Sequence, residues 1–333
     1  MTTSTTRRQL LAAGCVALCS GAFAQPQRRA KLVLAGPFAA VSNPLIRIAE
    51  SGALNDVADK VEFVTWKDPD QLRVLALDGA ADFIATPTNV AANLFNRGVK
   101  LKLINVATWG SLWMVSRSPS LKTLADFKGQ ELLMPFRGDM PDIVFQLLAS
   151  KQGLDPQRDL KLRYVASPLE AMQLLIMRRA DHALLAEPAV STALRKTHSF
   201  PVSAVAPELY RSVDLQQEWG RVFQRAPRIP QAGICALGKT LDDAPLLARF
   251  QKAYADAHAW CHAEPDACGR MAAQRIEMLT PEGAADAIRA ATQHLATGAA
   301  ARPELEFFFE QLRARDPGLV GGKLPAAEFY FNG

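Results

Sequence analysis

The chain has 333 residues, 49% of them hydrophobic and 21% charged, with a formal net charge of +5. That charge is too mild for a nucleic-acid binder, and no basic run interleaved with aromatics accompanies it. No apolar run of the ~18 residues that a spanning helix needs lies beyond residue 24, and the length suits two domains better than one.

Residues 1–24 read as an export signal. Arg7-Arg8 is a charged start, the apolar run from Leu10 to Phe23 is too short to span a bilayer, and Ala22-Phe23-Ala24 is a small-x-small cleavage site before Gln25. Thr6-Arg7-Arg8-Gln9-Leu10-Leu11 is twin-arginine-like, the alternative being an ordinary secretory signal with two arginines. The expected location is the periplasm, with cleavage after Ala24.

Residues 31–35 are a strand that runs into Gly36-Pro37-Phe38. Asn43 is placed as an N-cap with Pro44 at the first helical position, and that helix stops at Gly52. Residues 61–65 are a second strand. Asp68-Pro69-Asp70-Gln71 starts a helix that ends at Gly79. Ala81-Asp82-Phe83-Ile84-Ala85-Thr86-Pro87 is a short strand closed by proline, and a helix over 90–97 follows. The strand over 101–107 is broken by Trp109-Gly110-Ser111 and resumes over 112–116, where the chain is expected to cross into a second lobe.

The second lobe repeats the plan. The strand over 131–134 runs into Pro135-Phe136-Arg137-Gly138, and Asp139 is expected to cap a helix with Pro141 and Asp142 in its first turn. After a strand over 161–165, Ser167 and Glu170 form a capping box around Pro168. Ala180-Asp181-His182-Ala183-Leu184-Leu185-Ala186-Glu187-Pro188 then echoes the first Ala-Asp cassette. This reads as one α/β lobe built twice, with coincidence as the plainer alternative. Two such lobes imply a cleft at the carboxyl ends of their strands.

A strand is expected over 201–205, residues 207–228 resist assignment, and the strand over 231–237 returns to lobe one. Helices are expected over 245–261, 268–275, 281–296 and 303–315, and the apolar tail Phe329-Tyr330-Phe331 should pack back. The expected division is lobe one over 29–108 and 231–333, lobe two over 109–205, and an uncertain crossover over 206–230.

Cys261 and Cys268 flank a polar segment that can turn back on itself, so a disulfide is expected in an oxidising compartment, two unrelated thiols being the alternative. Cys235, in an apolar strand, reads as an inert buried thiol. His182, His198, His258, His262 and His294 show no metal spacing, and neither a metal nor a cofactor is expected.

Four stretches carry a resemblance: Ala81-Asp82-Phe83, Leu124-Ala125-Asp126-Phe127-Lys128-Gly129-Gln130, Gly153-Leu154-Asp155-Pro156 and Ala186-Glu187-Pro188. In their order and spacing the chain resembles the periplasmic solute-binding proteins of ABC importers. More narrowly it resembles those that bind nitrate, taurine, alkanesulfonates or thiamine-pyrimidine precursors. The resemblance implies an α/β, two-lobed periplasmic-binding-protein fold of type II, each lobe a mixed sheet flanked by helices. It also implies one small-molecule ligand, an ABC permease as partner and a monomeric chain.

The expected ligand contacts are the strand-to-helix loops. They are Phe38, Ser42 and Asn43; Trp66; Thr86, Thr88 and Asn89; Trp109 and Gly110; Phe136, Arg137, Gly138 and Asp139; and Glu187. For each, ordinary capping or core packing is the competing explanation. Sulfonate and nitrate binders usually present small hydroxyl residues after the first strand of lobe two, where helix N–H groups hold an anion. Here Asp139 and Asp142 would repel one and Pro141 lacks an N–H, while Arg137 offers a fork to a carboxylate or sulfonate. The aromatic residues point to a larger, partly aromatic or amine-bearing ligand.

An enzyme like the thiamine-pyrimidine synthases is disfavoured because no cysteine lies between Cys19 and Cys235. A periplasmic sensor that presents ligand to a receptor is the second alternative. The expected mechanism is closure by rotation at two crossings, near 108–109 and within 205–231.

Overall fold

The structure, a computed structural model, describes residues 28–205, 208–276 and 278–333. The expected signal over 1–24 and its cleavage site lie outside the described residues.

Lobe one starts with β1 (Leu32–Gly36), α1 (Asn43–Ser51), β2 (Val61–Thr65), α2 (Pro69–Leu77), β3 (Phe83–Pro87), α3 (Thr88–Asn96) and β4 (Leu101–Thr108). The helix starts follow from local chemistry. Asp68 accepts from the N–H groups of Asp70 and Gln71 to start α2, and Gln71 reaches back to the N–H of Lys67. Gly52 ends α1 in the left-handed region.

Lobe two holds β5 (Leu112–Ser116), β6 (Glu131–Pro135), α4 (Met140–Lys151), β7 (Lys161–Val165), α5 (Pro168–Ile176), β8 (His182–Ala186) and α6 (Ala189–His198). It continues through α7 (Val202–Val205), β9 (Tyr210–Asp214) and α8 (Leu215–Phe223). The chain then returns to lobe one as β10 (Ala232–Leu237), α9 (Ala244–Ala263), α10 (Pro265–Arg275), α11 (Pro281–Ala290), β11 (Ala296–Thr297) and α12 (Gly298–Arg315).

Three expectations are corrected here. The strand expected over 201–205 is the single helical turn α7. The unassigned stretch belongs to lobe two, because β9 pairs with β5 at that sheet's edge. The helix expected over 281–296 stops at Ala290, and Ala296–Thr297 pairs with β4.

The two sheets run β11-β4-β10-β3-β1-β2 and β7-β6-β8-β5-β9. Each has two parallel neighbours beside the cassette strand and one antiparallel strand on its other side, β10 on β3 and β5 on β8. The strand that completes each sheet thus comes from the far side of a crossing, which ties the lobes together. This is the mixed α/β plan expected of a two-lobed binding protein.

Side chains alternate across the sheet of lobe one as strand geometry requires. Phe83 and Ala85 face α1 and α9 with Leu32, Leu34, Leu45, Phe250 and Tyr254; Ile84 faces the other way, toward α3 and α12. That second core continues into lobe two through Trp219, whose ring lies 5.9 Å from that of Phe307 and 5.7 Å from that of Phe308.

The crossings lie side by side. The N–H of Ile229 bonds the Trp109 carbonyl at 3.1 Å and that of Gln231 bonds the Thr108 carbonyl at 2.9 Å. The return crossing is therefore at 229–231, well past residue 205. Gly110 is required here: its φ is +111°, and a Cβ would sit 2.1 Å from Cγ of Gln216.

Candidate ligand-binding cleft

The carboxyl ends of β1, β2, β3, β6, β7 and β8 meet across the gap between lobes, as open α/β sheets arrange them. Their loops enclose a cavity of about 1110 Å³, including its mouth to solvent, whose surface is mostly apolar. Lobe one contributes Pro37, Phe38, Trp66, Leu72 and Val90; lobe two contributes Phe136, Met140, Pro168, Leu169 and Pro188.

Of the expected contacts, Phe38, Trp66, Thr86, Phe136, Asp139 and Glu187 line this chamber. Trp66 is buried and fixed by a 3.1 Å bond from its Nε1 to the Ala85 carbonyl. Phe136 holds a φ of +56°, a left-handed backbone that a bulky side chain rarely adopts. Asn43, Trp109, Gly110 and, again, Glu187 line a second, adjoining chamber.

The remaining expected residues lie elsewhere. Ser42 is buried and donates to the Pro37 carbonyl at 2.6 Å. Thr88 donates to the Pro230 carbonyl at 2.5 Å and so ties α3 to the return crossing. Asn89 is buried. Arg137 is exposed, with its guanidinium 4.9 Å over the Tyr164 ring, and Gly138 is exposed beside it. None of these five residues lines either chamber.

The acidic loop works differently from expectation. Asp139 makes no capping bond. It crosses the cleft to Arg73 on α2 at 3.1 Å, so one ion pair joins the lobes at the cavity. Burial pushes its carboxyl above the usual range, against the pull of Arg73. Asp142, 1% exposed, closes the helix start instead, accepting from the Gly138 N–H at 2.8 Å and from Gln146 at 2.6 Å.

The other helix starts of lobe two are filled in the same way. Glu170 accepts from the Ala166 N–H at 2.8 Å and Ser167 from the Glu170 N–H at 3.1 Å. Glu187, 5% exposed, accepts from the N–H of Ser191 at 3.0 Å and from Arg211 at 2.6 Å. A ligand anion arriving at these termini meets carboxylates already in place, which works against the usual pull of a helix N-terminus.

The lobes also touch on the α6 side. Arg195 pairs with Asp286 on α11, with its Nη2 at 3.0 Å, and Lys196 donates to the Met278 carbonyl at 3.0 Å. Asp82, near the start of the first cassette, acts away from the cleft that Thr86 and Pro87 at its other end line. Asp82 accepts from the Val33 N–H at 2.8 Å and from Thr240 at 3.1 Å, stitching strand starts together.

Cys261 and Cys268 are both buried free thiols, so the expected disulfide is not formed here. A hydrogen bond between them, together with burial, pushes the Cys261 thiol up. Burial does the same to Cys235. Sequence reasoning missed Gln231, Asp214 and His258 as cleft residues. Asp214 fell in the unassigned stretch, and only tertiary packing aims His258 of α9 at the cleft.

Solved structures with the same fold include an ABC transporter from Parabacteroides distasonis, at 21% identity and a TM-score of 0.71, covering 90% of this chain and 98% of that one. The aliphatic sulphonate-binding protein SsuA of Escherichia coli aligns at 14% identity and a TM-score of 0.67, covering 91% and 92%. The nitrate-binding protein NrtA of Synechocystis aligns at 14% identity and a TM-score of 0.58, covering 77% and 69%. No protein-family model matches the chain, and no curated relative does. The fold is that of the sulfonate- and nitrate-type binding proteins of ABC importers.

Proposed function

We propose that the protein is the extracytoplasmic solute-binding component of an ABC importer. It captures a small organic molecule between its lobes and delivers it to a membrane permease. The observation that carries this reading is the apolar cavity walled by loops of both lobes. An occupant touches both walls at once, so it favours the closed arrangement over the open one. The rotation is proposed at the two crossings, 108–109 and 229–231, whose hydrogen-bonded adjacency supports a common axis. The shared fold and the signal-like residues 1–24 support the transport reading and a periplasmic location.

The candidate ligands are a sulfonate, an aromatic acid or a heterocycle. The lining favours the heterocycle. Phe38, Trp66 and Phe136 offer aromatic faces, and the helix starts carry carboxylates. The test is a thermal-shift screen against nitrate, taurine, alkane- and arylsulfonates, aromatic carboxylates and nitrogen heterocycles. A ligand at 100 times its Kd stabilises by about 2.7 kcal/mol. The expected result is a shift with heterocycles and a smaller radius of gyration in X-ray scattering. A saturating ligand that leaves the radius unchanged overturns the closure mechanism.

A further inference from the structure

The second chamber adjoins the first through Ala40, Val41, Thr108, Ser111 and Glu187, which line both. Its character is different. Asn43, Gln216, Gln217, Thr292 and the histidines of α9 make its surface far more polar. Among the described residues, the acidic side chains on its wall are Asp214 and Glu187, and no lysine or arginine lines it.

These two carboxylates are not equivalent. Glu187 has its cation in Arg211, at 2.6 Å. Asp214 has none. Its Oδ1 accepts from the N–H of Gln216 at 2.8 Å, from the Gln216 amide at 2.8 Å and from the N–H of Gln217 at 3.2 Å, which starts α8. Its Oδ2 takes no hydrogen bond from the described residues. Burial raises its carboxyl, and Glu218 adds to that. A partly buried carboxylate without a cation is a site that a cation would stabilise.

The rest of the wall fits the same occupant. His258 and His262 lie one helical turn apart with ring centroids 4.7 Å from each other. Burial lowers both, His258 to about 4, which favours the uncharged rings, each with a lone pair to offer. The Nδ1 of His262 is buried without a partner among the described residues.

We propose that the cleft takes a two-part ligand, with a flat apolar body in the first chamber and a protonated amine head in the second, held by Asp214. This rests on the reading of the cleft as the ligand site. An anionic head would meet two carboxylates and no lining cation. An uncharged head would leave Asp214 uncompensated.

The test is calorimetric titration of the purified protein with three probes that share one ring system: indole, tryptamine and indole-3-acetate. Tryptamine is expected to bind about tenfold tighter than indole, and indole-3-acetate more weakly than indole. Asp214→Asn keeps a good N-cap for α8 and removes the charge. It is expected to cut the tryptamine-to-indole affinity ratio by about tenfold. Tightest binding by indole-3-acetate overturns the inference, as does a ratio that Asp214→Asn leaves unchanged. Binding by none of the three also overturns it, while compaction with another compound of the screen leaves the solute-binding reading standing. Tryptamine bound through Asp214 without a change in radius of gyration does the reverse.

Discussion

Arg73→Met tests the ion pair that spans the cleft. At the 3.1 Å separation from Asp139 and an effective dielectric near 20, the bare attraction is about 5 kcal/mol. Desolvation and the ordering of a long side chain take back most of it. Arg73 keeps 40% of its side-chain exposure and Asp139 only 14%, so about 1 kcal/mol survives for the pair. Removing Arg73 also leaves Asp139 to its burial and to the like charges of Asp70 and Asp142, for about 1 kcal/mol more. Methionine keeps the length of the stem, so the loss is electrostatic. Because the partners sit on different lobes, the cost falls on closure and not on the folding of either lobe. About 2 kcal/mol shifts the closed-to-open ratio roughly 30-fold, and ligand affinity falls by up to that factor. The assay is calorimetric Kd for any ligand found in the screen, in a cycle with Asp139→Asn, alongside the ligand-free radius of gyration at low salt. A coupling energy below about 0.3 kcal/mol, the error expected of additive sites, with an unchanged radius, refutes the latch.

Three further outcomes are expected. Phe136→Gly removes a left-handed bulky residue and so raises stability by about 1 kcal/mol, yet it weakens ligand binding because the ring leaves the cavity wall. A lower denaturation midpoint would mean that no strain is stored there. His258 has its pKa lowered to about 4 by burial, His262 and His294. The unfolded chain takes up its proton near 6.5, so stability is full above that pH and falls as the pH drops toward 4, by at most about 3 kcal/mol. His258→Gln should flatten the Tm profile between those limits. An oxidant should link Cys261 to Cys268, which pack in the same buried cluster, and add about 2–3 kcal/mol by closing a short loop. A Tm that does not respond to reductant after oxidation, or that responds equally in Cys268→Ser, argues against the bond.

The fold was legible where local chemistry and pattern agreed. Asp68 and Ser167 start their helices as the sequence implies, and Gly52 ends one. The cassettes come out as β3 and β8 in matching sheet positions. The stretch 207–228 was not legible because β9 is an edge strand with only Val213 buried, and its polar alternation resembles a loop. Residues 201–205 mix strand formers with proline, and that local preference lost to a helical turn. The cleft was half legible. Loops at strand ends do wall the cavity, because that placement depends on topology alone. Which side chains reach the cavity was not legible, because hydroxyls such as Ser42 and Thr88 are equally suited to bonding a nearby carbonyl, and did so. Arg137 illustrates the same limit: one residue along a tight loop, with Gly138 at φ +73° beside it, turns a side chain outward.

The fold alone does not decide what such a cleft holds. A strand-to-helix loop presents N–H groups and the positive end of a helix dipole, which suits an anion when the chain leaves them open. In this protein Asp142, Glu170 and Glu187 take up N–H groups at the starts of α4, α5 and α6, and Asp214 does so at α8. Arginines cancel part of that charge, but they do so by pairing with carboxylates: Arg73 with Asp139 and Arg211 with Glu187. Each guanidinium thereby spends its fork on the protein and has less to offer an incoming anion. The polar wall thus keeps its helix ends and its salt bridges to itself, and leaves Asp214 lining the second chamber without a cation among the described residues. On the proposed reading, carboxylates on those helix starts favour a ligand without negative charge.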